Sequence, residues 1–192
     1  MTAAQAPGVL VTVGTDHHPF DRLMTWIEQW PADAPEVRWT VQHGSTRAPA
    51  APGVRAAAMM PHDELLAALA EAAVVVCQGG PGSVMDARGA GKVPIVVPRR
   101  PELGEHVDDH QVLFARRLEG AGLIRIAAGA GEFRELVTAA LRDPGAFAAR
   151  DGAGDLPGTV ARFDSLVGEL MSRPARRPLL PLPRRARRES AR

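Results

Sequence analysis

Short apolar runs that alternate with segments of helical periodicity restrict this chain to a small group of folds. The run Val74-Val75-Val76-Cys77 has no polar residue, and residues 93–97 contain only aliphatic side chains and one proline. Strands that are apolar on both faces must be covered on both faces, as in parallel sheets flanked by helices. The sequence therefore predicts an α/β fold with a doubly wound parallel sheet of the Rossmann-like kind.

Six strands and six helices are predicted from the apolar runs, the helical spacing and the glycine and proline breaks between them. The strands are expected at residues 8–14, 36–43, 54–59, 74–77, 93–97 and 123–127, and the helices at residues 20–30, 63–73, 83–91, 108–121, 133–142 and 160–171. Beyond residue 172 the chain is rich in arginine and proline and has no apolar periodicity. We expect one domain over residues 1–172 and a disordered Arg/Pro-rich tail over residues 173–192.

Charge and cysteine content indicate the compartment and disfavour some partners. The 23 Lys and Arg residues nearly balance the 22 Asp and Glu residues, so no overall field of the kind that attracts nucleic acid is present. The single cysteine, Cys77, cannot form an internal disulfide and is interpreted as a small buried hydrophobe. The N-terminal apolar stretch is far shorter than the ~20 residues that cross a bilayer. We expect a cytoplasmic protein.

Residues 78–83 form a turn with few side chains between the strand at 74–77 and the next helix. A helix that begins directly after such a turn presents free backbone N–H groups and the positive end of its dipole, and both favour a phosphate. The residues match neither the P-loop pattern nor the three-glycine spacing of dinucleotide sites. Two interpretations stay open: a diphosphate site, and a tight connection in which Ser83 and Asp86 form a capping box.

A polar loop over residues 99–111 leaves the strand at 93–97 and is expected beside the glycine-rich turn, because both follow the carboxyl ends of strands. His106 and His110 stand four residues apart, as in helical zinc sites, but the adjacent glutamate that a metalloprotease needs is missing. A more ordinary interpretation makes Asp108 a helix cap and His110 a satisfied polar residue. We expect no metal and no cofactor.

The ordered series of motifs resembles the C-terminal, donor-binding domain of family-28 glycosyltransferases, the group that contains MurG, and most closely the single-domain PssE/EpsE type. The resemblance covers residues 9–126 and implies the C-terminal half of a GT-B glycosyltransferase. It is carried by Val13-Gly14-Thr15 with Pro19-Phe20-Asp21-Arg22-Leu23, by Val41-Gln42-His43-Gly44-Ser45, by Met60-Pro61, by residues 79–87, and by Gly104-Glu105-His106 with Asp109-His110-Gln111.

The resemblance implies a UDP-sugar donor and assigns a role to each part of the site. The diphosphate would be held by Gly80, Gly82 and Ser83, the ribose by Asp86, and the donor sugar by His110 and Gln111, while Thr15 would line the side of the cleft that faces the acceptor. Two residues depart from the family pattern: Gln78 stands in place of the usual histidine and Asp86 in place of the usual glutamate. The shorter Asp86 side chain puts the ribose contact in doubt.

The same resemblance implies inverting transfer of a hexosyl group without a metal, and a base that accepts the proton of the acceptor hydroxyl. His17 is the candidate base, with His18 beside it; the alternatives are that these are exposed loop residues and that a partner supplies the base. Because the recognisable motifs all belong to the donor-binding half, we expect the acceptor-binding domain on a separate protein. In the PssD/PssE relatives that half is a membrane-anchored protein acting on a polyprenyl-diphosphate-linked sugar, and the implied role is exopolysaccharide or glycoconjugate biosynthesis at the inner face of the membrane.

Three further hypotheses remain open at the level of sequence. The first, suggested by the departures at Gln78 and Asp86, is a catalytically silent nucleotide-sugar-binding regulatory subunit. The second is an enzyme of different chemistry with a metal on His106 and His110. The third concerns the tail at residues 173–192, which either binds anionic lipids through its arginines or is simply solvated.

Overall fold

The computed structural model describes residues 6–31 and 34–149, together with the helical positions Gly158, Ala161, Ser165 and Gly168. Its centre is a six-stranded sheet in which every neighbouring pair of strands is parallel, in the order β3-β2-β1-β4-β5-β6. The strands are β1 (Gly8–Thr12), β2 (Arg38–Gln42), β3 (Val54–Ala57), β4 (Val74–Cys77), β5 (Ile95–Val96) and β6 (Arg125–Ile126). The predicted doubly wound parallel sheet is confirmed.

Five helices follow the strands and cover both faces of the sheet. They are α1 (Asp21–Glu28), α2 (His62–Glu71), α3 (Pro81–Gly89), α4 (His110–Gly120) and α5 (Ala130–Arg142). Of the sixth helix expected at residues 160–171, only three positions are described, and these are helical. The tail predicted at residues 173–192 lies outside the described residues.

The alternation of side chains along each strand divides the core into two layers. Val9 and Val11 of β1 point to one face, where α1 and α5 pack, with Phe20 and Phe133 fully or almost fully buried. Leu10 points to the other face, toward α2 and α3. A further cluster joins β4 and β5 to α3 and α4. The sheet is thus buried on both sides, which explains why its strands read as continuous apolar runs.

Cys77 lies at the end of β4 with no exposed surface, as expected for a small buried hydrophobe. Burial raises the pKa of its thiol to about 12, so the group stays protonated and unreactive at neutral pH. In the described part of the chain, no helix has both the length and the apolar character needed to cross a membrane.

Candidate functional site

The strand order places a crevice between β1 and β4, whose following helices, α1 and α3, cover opposite faces of the sheet. In open parallel sheets, ligands bind at such a switch point, beyond the carboxyl ends of the strands. A cleft of about 310 Å³ opens at this position. Its walls are formed by Thr12, Gly14, Thr15, Gln42, Met59, Met60, Leu65, Gln78, Gly80, Pro81, Gly82, Ser83 and Asp86.

A larger depression, of about 510 Å³, lies elsewhere, between Pro31 and the C-terminal part of α5. It sits where β2 begins rather than where the strands end, and parallel sheets do not place their ligand sites there. We therefore take the smaller cleft at the switch point as the candidate site.

The floor of the cleft is the N-terminus of α3. Gly80 is the N-cap, Pro81 occupies the first helical position and has no N–H group, and the backbone N–H groups of Gly82 and Ser83 have no partner among the described residues. The first backbone hydrogen bond of the helix runs from Val84 N–H to Gly80 O, at 3.3 Å. Two free amides and the helix dipole together make an anion site.

The capping box considered for Ser83 and Asp86 is not formed. Gly80, not Ser83, is the N-cap, and no side chain caps this helix end. The reason is Pro81, whose fixed φ suits the first turn, so that α3 begins two residues earlier than expected. Ser83 and Asp86 instead both line the cleft, one turn apart on the same helix face.

Gln78 explains why glycine stands at two positions around the cleft. A Cβ atom built on Gly14 would collide with Gln78 Nε2, and one built on Gly80 would lie 2.9 Å from the same nitrogen. Gly14 also has a φ of 72°, which side-chain-bearing residues rarely adopt. Gln78 is itself 8% exposed, and its Oε1 has no hydrogen-bond partner among the described residues. The amide thus packs beneath both loops and leaves one acceptor unsatisfied.

Gln42 ties the ends of three strands together. Its Oε1 accepts hydrogen bonds from Thr12 Oγ1 at 2.7 Å and from Gly14 N–H at 3.2 Å. Its Nε2 donates to the carbonyl oxygens of Gly14 and Ala58, at 2.9 and 3.0 Å. This glutamine was not singled out as a site residue, because only the packed structure shows that its side chain bridges the loops after β1 and β3.

The loop after β5 lies beside the glycine-rich turn, as predicted. A Cβ on Gly79 would lie 3.1 Å from Gln111 Cβ, and Gln111 Oε1 accepts a hydrogen bond from Arg99 N–H at 3.3 Å. His110 is turned elsewhere: its ring is 67% exposed and its Nδ1 lies 2.8 Å from Asp108 Oδ1. The structure therefore brings Gln111 to the turn, while the His110 ring faces Asp108 and solvent.

Asp108 was expected to cap the helix that follows the loop, and it does accept a backbone hydrogen bond at the start of α4. Its Oδ1 accepts a hydrogen bond from His110 N–H at 3.1 Å, although the N-cap position belongs to Asp109. His106 and His110 do not share a helix face, because α4 begins at His110 and leaves His106 in the loop. The two histidines therefore do not form the helical metal pair considered from their spacing.

Two arginines, the buried Arg99 and the partly buried Arg22, anchor the loops around the cleft. Arg99 has no exposed surface and donates to the carbonyl oxygens of Val13 at 3.1 Å, His18 at 2.7 Å and Glu105 at 3.1 Å. Burial lowers the pKa of Arg99, although the charges of Asp16 and Glu105 act to raise it. Arg99 thereby joins the loop after β1 to the loop after β5.

Arg22 of α1 holds Glu105 through two hydrogen bonds of 2.8 Å, and Glu105 Oε2 also accepts from Arg100 N–H at 2.9 Å. The Glu105 side chain is 5% exposed, so this motif residue supports the loop rather than facing a ligand. Sequence reasoning missed the pair because 83 residues separate its members. The sequence offered one sign of the pair: Arg22 and Glu105 are charged residues inside two of the motifs that carry the family resemblance.

The histidines after β1 differ in how they are held. His17 is 86% exposed and its Nδ1 is 3.7 Å from Asp16 Oδ1, whereas His18 is 21% exposed and its Nδ1 lies 2.7 Å from the same oxygen. Burial acts to raise the pKa of Asp16, but hydrogen bonds from His18 and the charge of Arg99 outweigh it, and the pKa is lowered. An ionised carboxylate thus orients His18, so the structure favours His18 over His17 as an oriented base.

Comparisons with known proteins agree with this geometry. The sequence profile described as "Glycosyltransferase family 28 C-terminal domain" matches residues 8–128. A search of curated proteins gives no significant match. Among solved structures, the chain is similar to the glycotransferase of kitacinnamycin, with 20% identity and a TM-score of 0.59; the match covers 89% of this chain and 44% of that one. It is also similar to the calicheamicin glycosyltransferase CalG4, with 22% identity and a TM-score of 0.60; that match covers 91% of this chain and 44% of CalG4.

It is also similar to MurG of Acinetobacter baumannii, with 18% identity, a TM-score of 0.56, and 85% of this chain matched to 51% of that one. At such identities the likeness shows the fold alone. The chain spans about half the length of these glycosyltransferases.

Proposed function

The chain belongs to the family of glycosyltransferase family 28 C-terminal domains, and we propose that it is the donor-binding catalytic subunit of a split GT-B glycosyltransferase. In this proposal it transfers a hexosyl group, with inversion, from a UDP-sugar to a polyprenyl-diphosphate-linked acceptor. The observation that carries the proposal is the cleft at the switch point, with the N-terminus of α3 as its floor.

The two free amides at Gly82 and Ser83 suit the diphosphate of the donor. Charge accumulates on the departing diphosphate as the glycosidic bond breaks, and amides that are already oriented stabilise it without reorganising. Gly80 lets the turn pass close to Gln78, since a side chain at that position would collide with the Gln78 amide. In this proposal Asp86, which lines the cleft one turn further along α3, meets the ribose, and Gln111, which lies next to Gly79, meets the donor sugar. His110 would need to rotate away from Asp108 to join Gln111.

The acceptor side of the proposed reaction lies at the loop after β1. Thr15 is exposed and lines the cleft, and the Asp16–His18 pair follows it directly. A carboxylate bound to Nδ1 leaves Nε2 of His18 to accept the proton of an acceptor hydroxyl. His17 remains the candidate first assigned, but its exposed ring lacks a comparably close partner in the described structure.

The proposal includes a second subunit. This chain corresponds to about half of each similar glycosyltransferase, and an acceptor-binding half completes the cleft in the proposed enzyme. We propose a membrane-anchored, acceptor-binding subunit of the PssD type, which would hold this subunit at the cytoplasmic face of the membrane. Positioning two reactants can account for ~7–11 kcal/mol of a barrier, so half a cleft retains little of the rate enhancement.

Reconstitution tests the proposal directly. Transfer of radiolabelled sugar to a lipid-linked acceptor would be measured with this chain alone, with the candidate partner alone, and with both together. We expect donor binding by this chain alone and transfer only by the pair. Robust transfer by this chain in partner-free preparations would contradict the split enzyme.

The same assay distinguishes the regulatory alternative suggested by Gln78 and Asp86. If the chain only regulates, a variant that cannot bind donor should leave transfer by the complex largely intact. If it supplies the donor site, Gly82→Val in the complex should abolish transfer while the complex still forms.

A further inference from the structure

We propose that Asp16, His17, His18 and His106 form a binding site for a divalent metal ion of the zinc class, between the loop after β1 and the loop after β5. The site does not depend on the transferase proposal. It also differs from the metal pair considered from the sequence, because it uses His106 without His110.

Three of the four side chains are grouped closely enough to share an ion, and the fourth, His106, lies against the second carboxylate oxygen of Asp16. The ligand atoms of Asp16, His17 and His18 all lie within 4.8 Å of one another. Asp16 Oδ1 is 3.7 Å from His17 Nδ1, and Asp16 Oδ2 is 3.5 Å from His106 Nε2. Ligands at ~2.0–2.1 Å from a tetrahedral zinc ion stand roughly 3.3 Å apart, so these two separations need to change by only a few tenths of an ångström.

The contact between Asp16 and His18 is shorter, because it is a hydrogen bond of 2.7 Å. A metal ion would replace the shared proton and widen this separation. Asp16 offers carboxylate oxygens to the ion, and zinc accepts such oxygens beside imidazole nitrogens. Arg99 contributes an opposing positive charge nearby, but its guanidinium is held by three carbonyl oxygens.

His106 is also held in one orientation by its own loop. With Nε2 turned toward Asp16, its Nδ1 accepts a hydrogen bond from Asp108 N–H at 3.3 Å. In this tautomer Nε2 carries the proton, which a bound metal ion would displace. This arrangement is independent of the residues after β1, since Asp108 belongs to the other loop.

The chemistry of the ligands selects the ion. Three imidazole nitrogens and one carboxylate suit zinc, cobalt, nickel or copper, whereas magnesium and calcium prefer sites built from oxygen. Both loops are already joined by Arg99, which contacts the backbones of His18 and Glu105, so the cluster is held together before any ion binds. On the proposed function, zinc should inhibit transfer, because a metal-bound histidine cannot accept a proton.

Isothermal titration of tag-free protein with Zn²⁺, and separately with Mg²⁺, tests the site. We expect one Zn²⁺ per chain and no comparable binding of Mg²⁺. Asp16→Asn and His106→Gln, which keep the side-chain size, should each weaken Zn²⁺ binding by about 10–100-fold, as should His18→Ala. His62→Ala, at the exposed start of α2, is the matched control and should bind as wild type does.

Far-UV circular dichroism and thermal melting of each variant show whether the fold is kept. If wild type takes up no Zn²⁺, or if the three ligand variants bind it as tightly as the control does, the cluster is a hydrogen-bond network only and the proposal is overturned. Because binding is measured on this chain without donor or acceptor, failure here would leave the transferase proposal standing, and the reverse also holds.

Discussion

Replacing Gly82 by valine places a branched side chain directly over the two amides that are proposed to bind the diphosphate. The structure indicates that this substitution should obstruct the cleft without disturbing the fold. A Cβ on Gly82 meets no atom within 4 Å, and Gly82 is not among the glycines with a positive φ. The protein can therefore accept the new side chain, and what it obstructs is the cleft that Gly82 lines.

The expected loss follows from the two amides. A hydrogen bond to a charged group contributes ~1.5–3 kcal/mol, so losing those from Gly82 and Ser83 costs about 3–6 kcal/mol, or on the order of 10²–10⁴-fold in affinity. The cost to stability is small. Valine and glycine differ by roughly 0.5 kcal/mol in helix propensity, so the melting temperature should move by no more than a few degrees.

Gly131→Val is the matched control for this experiment. Gly131 occupies the second position of α5, as Gly82 does in α3, and a Cβ there also meets nothing within 4 Å. It does not line the cleft. Calorimetric titrations with UDP and with a panel of UDP-sugars would compare both variants with wild type. Equal affinities for wild type and Gly82→Val, with the fold intact, would refute the assignment of the diphosphate to this helix end.

Three further outcomes are expected. Gln111→Ala should weaken UDP-sugar binding by ~1–3 kcal/mol while UDP binds about as before, and calorimetry showing both weakened together would contradict the sugar contact. Glu105→Gln leaves the partly buried Arg22 without its counter-charge, so unfolding experiments should show a loss of ~1–3 kcal/mol, against almost none for the exposed Glu102→Gln. Deleting the tail at residues 173–192 should reduce co-sedimentation with anionic liposomes, where each basic residue near the surface contributes ~1 kcal/mol; unchanged or salt-insensitive sedimentation would argue for a solvated tail.

The elements of the fold were predictable because their causes are local. The fully apolar run of β4 can only belong to a strand covered on both faces, and all six expected strands are present. The predicted ends of the elements were less accurate. The helix α3 begins at Pro81 rather than at Ser83, because the preference of proline for the first helical turn outweighs the capping tendency of Ser83.

The glycine-rich turn before α3 was also evident from the sequence alone, since glycines between an apolar strand and a helix have a local pattern. The contacts that support the loops around this turn were not evident from the sequence. The Arg22–Glu105 pair, the three carbonyl contacts of Arg99 and the approach of His106 to Asp16 join segments far apart in the chain. Periodicity and capping describe neighbours within a few residues, whereas these contacts arise only when parallel strands bring the loops at their carboxyl ends to one edge of the sheet. The sequence therefore determined the sheet and the position of the glycine-rich turn, and tertiary packing alone decided which charged side chains support that turn and which remain exposed.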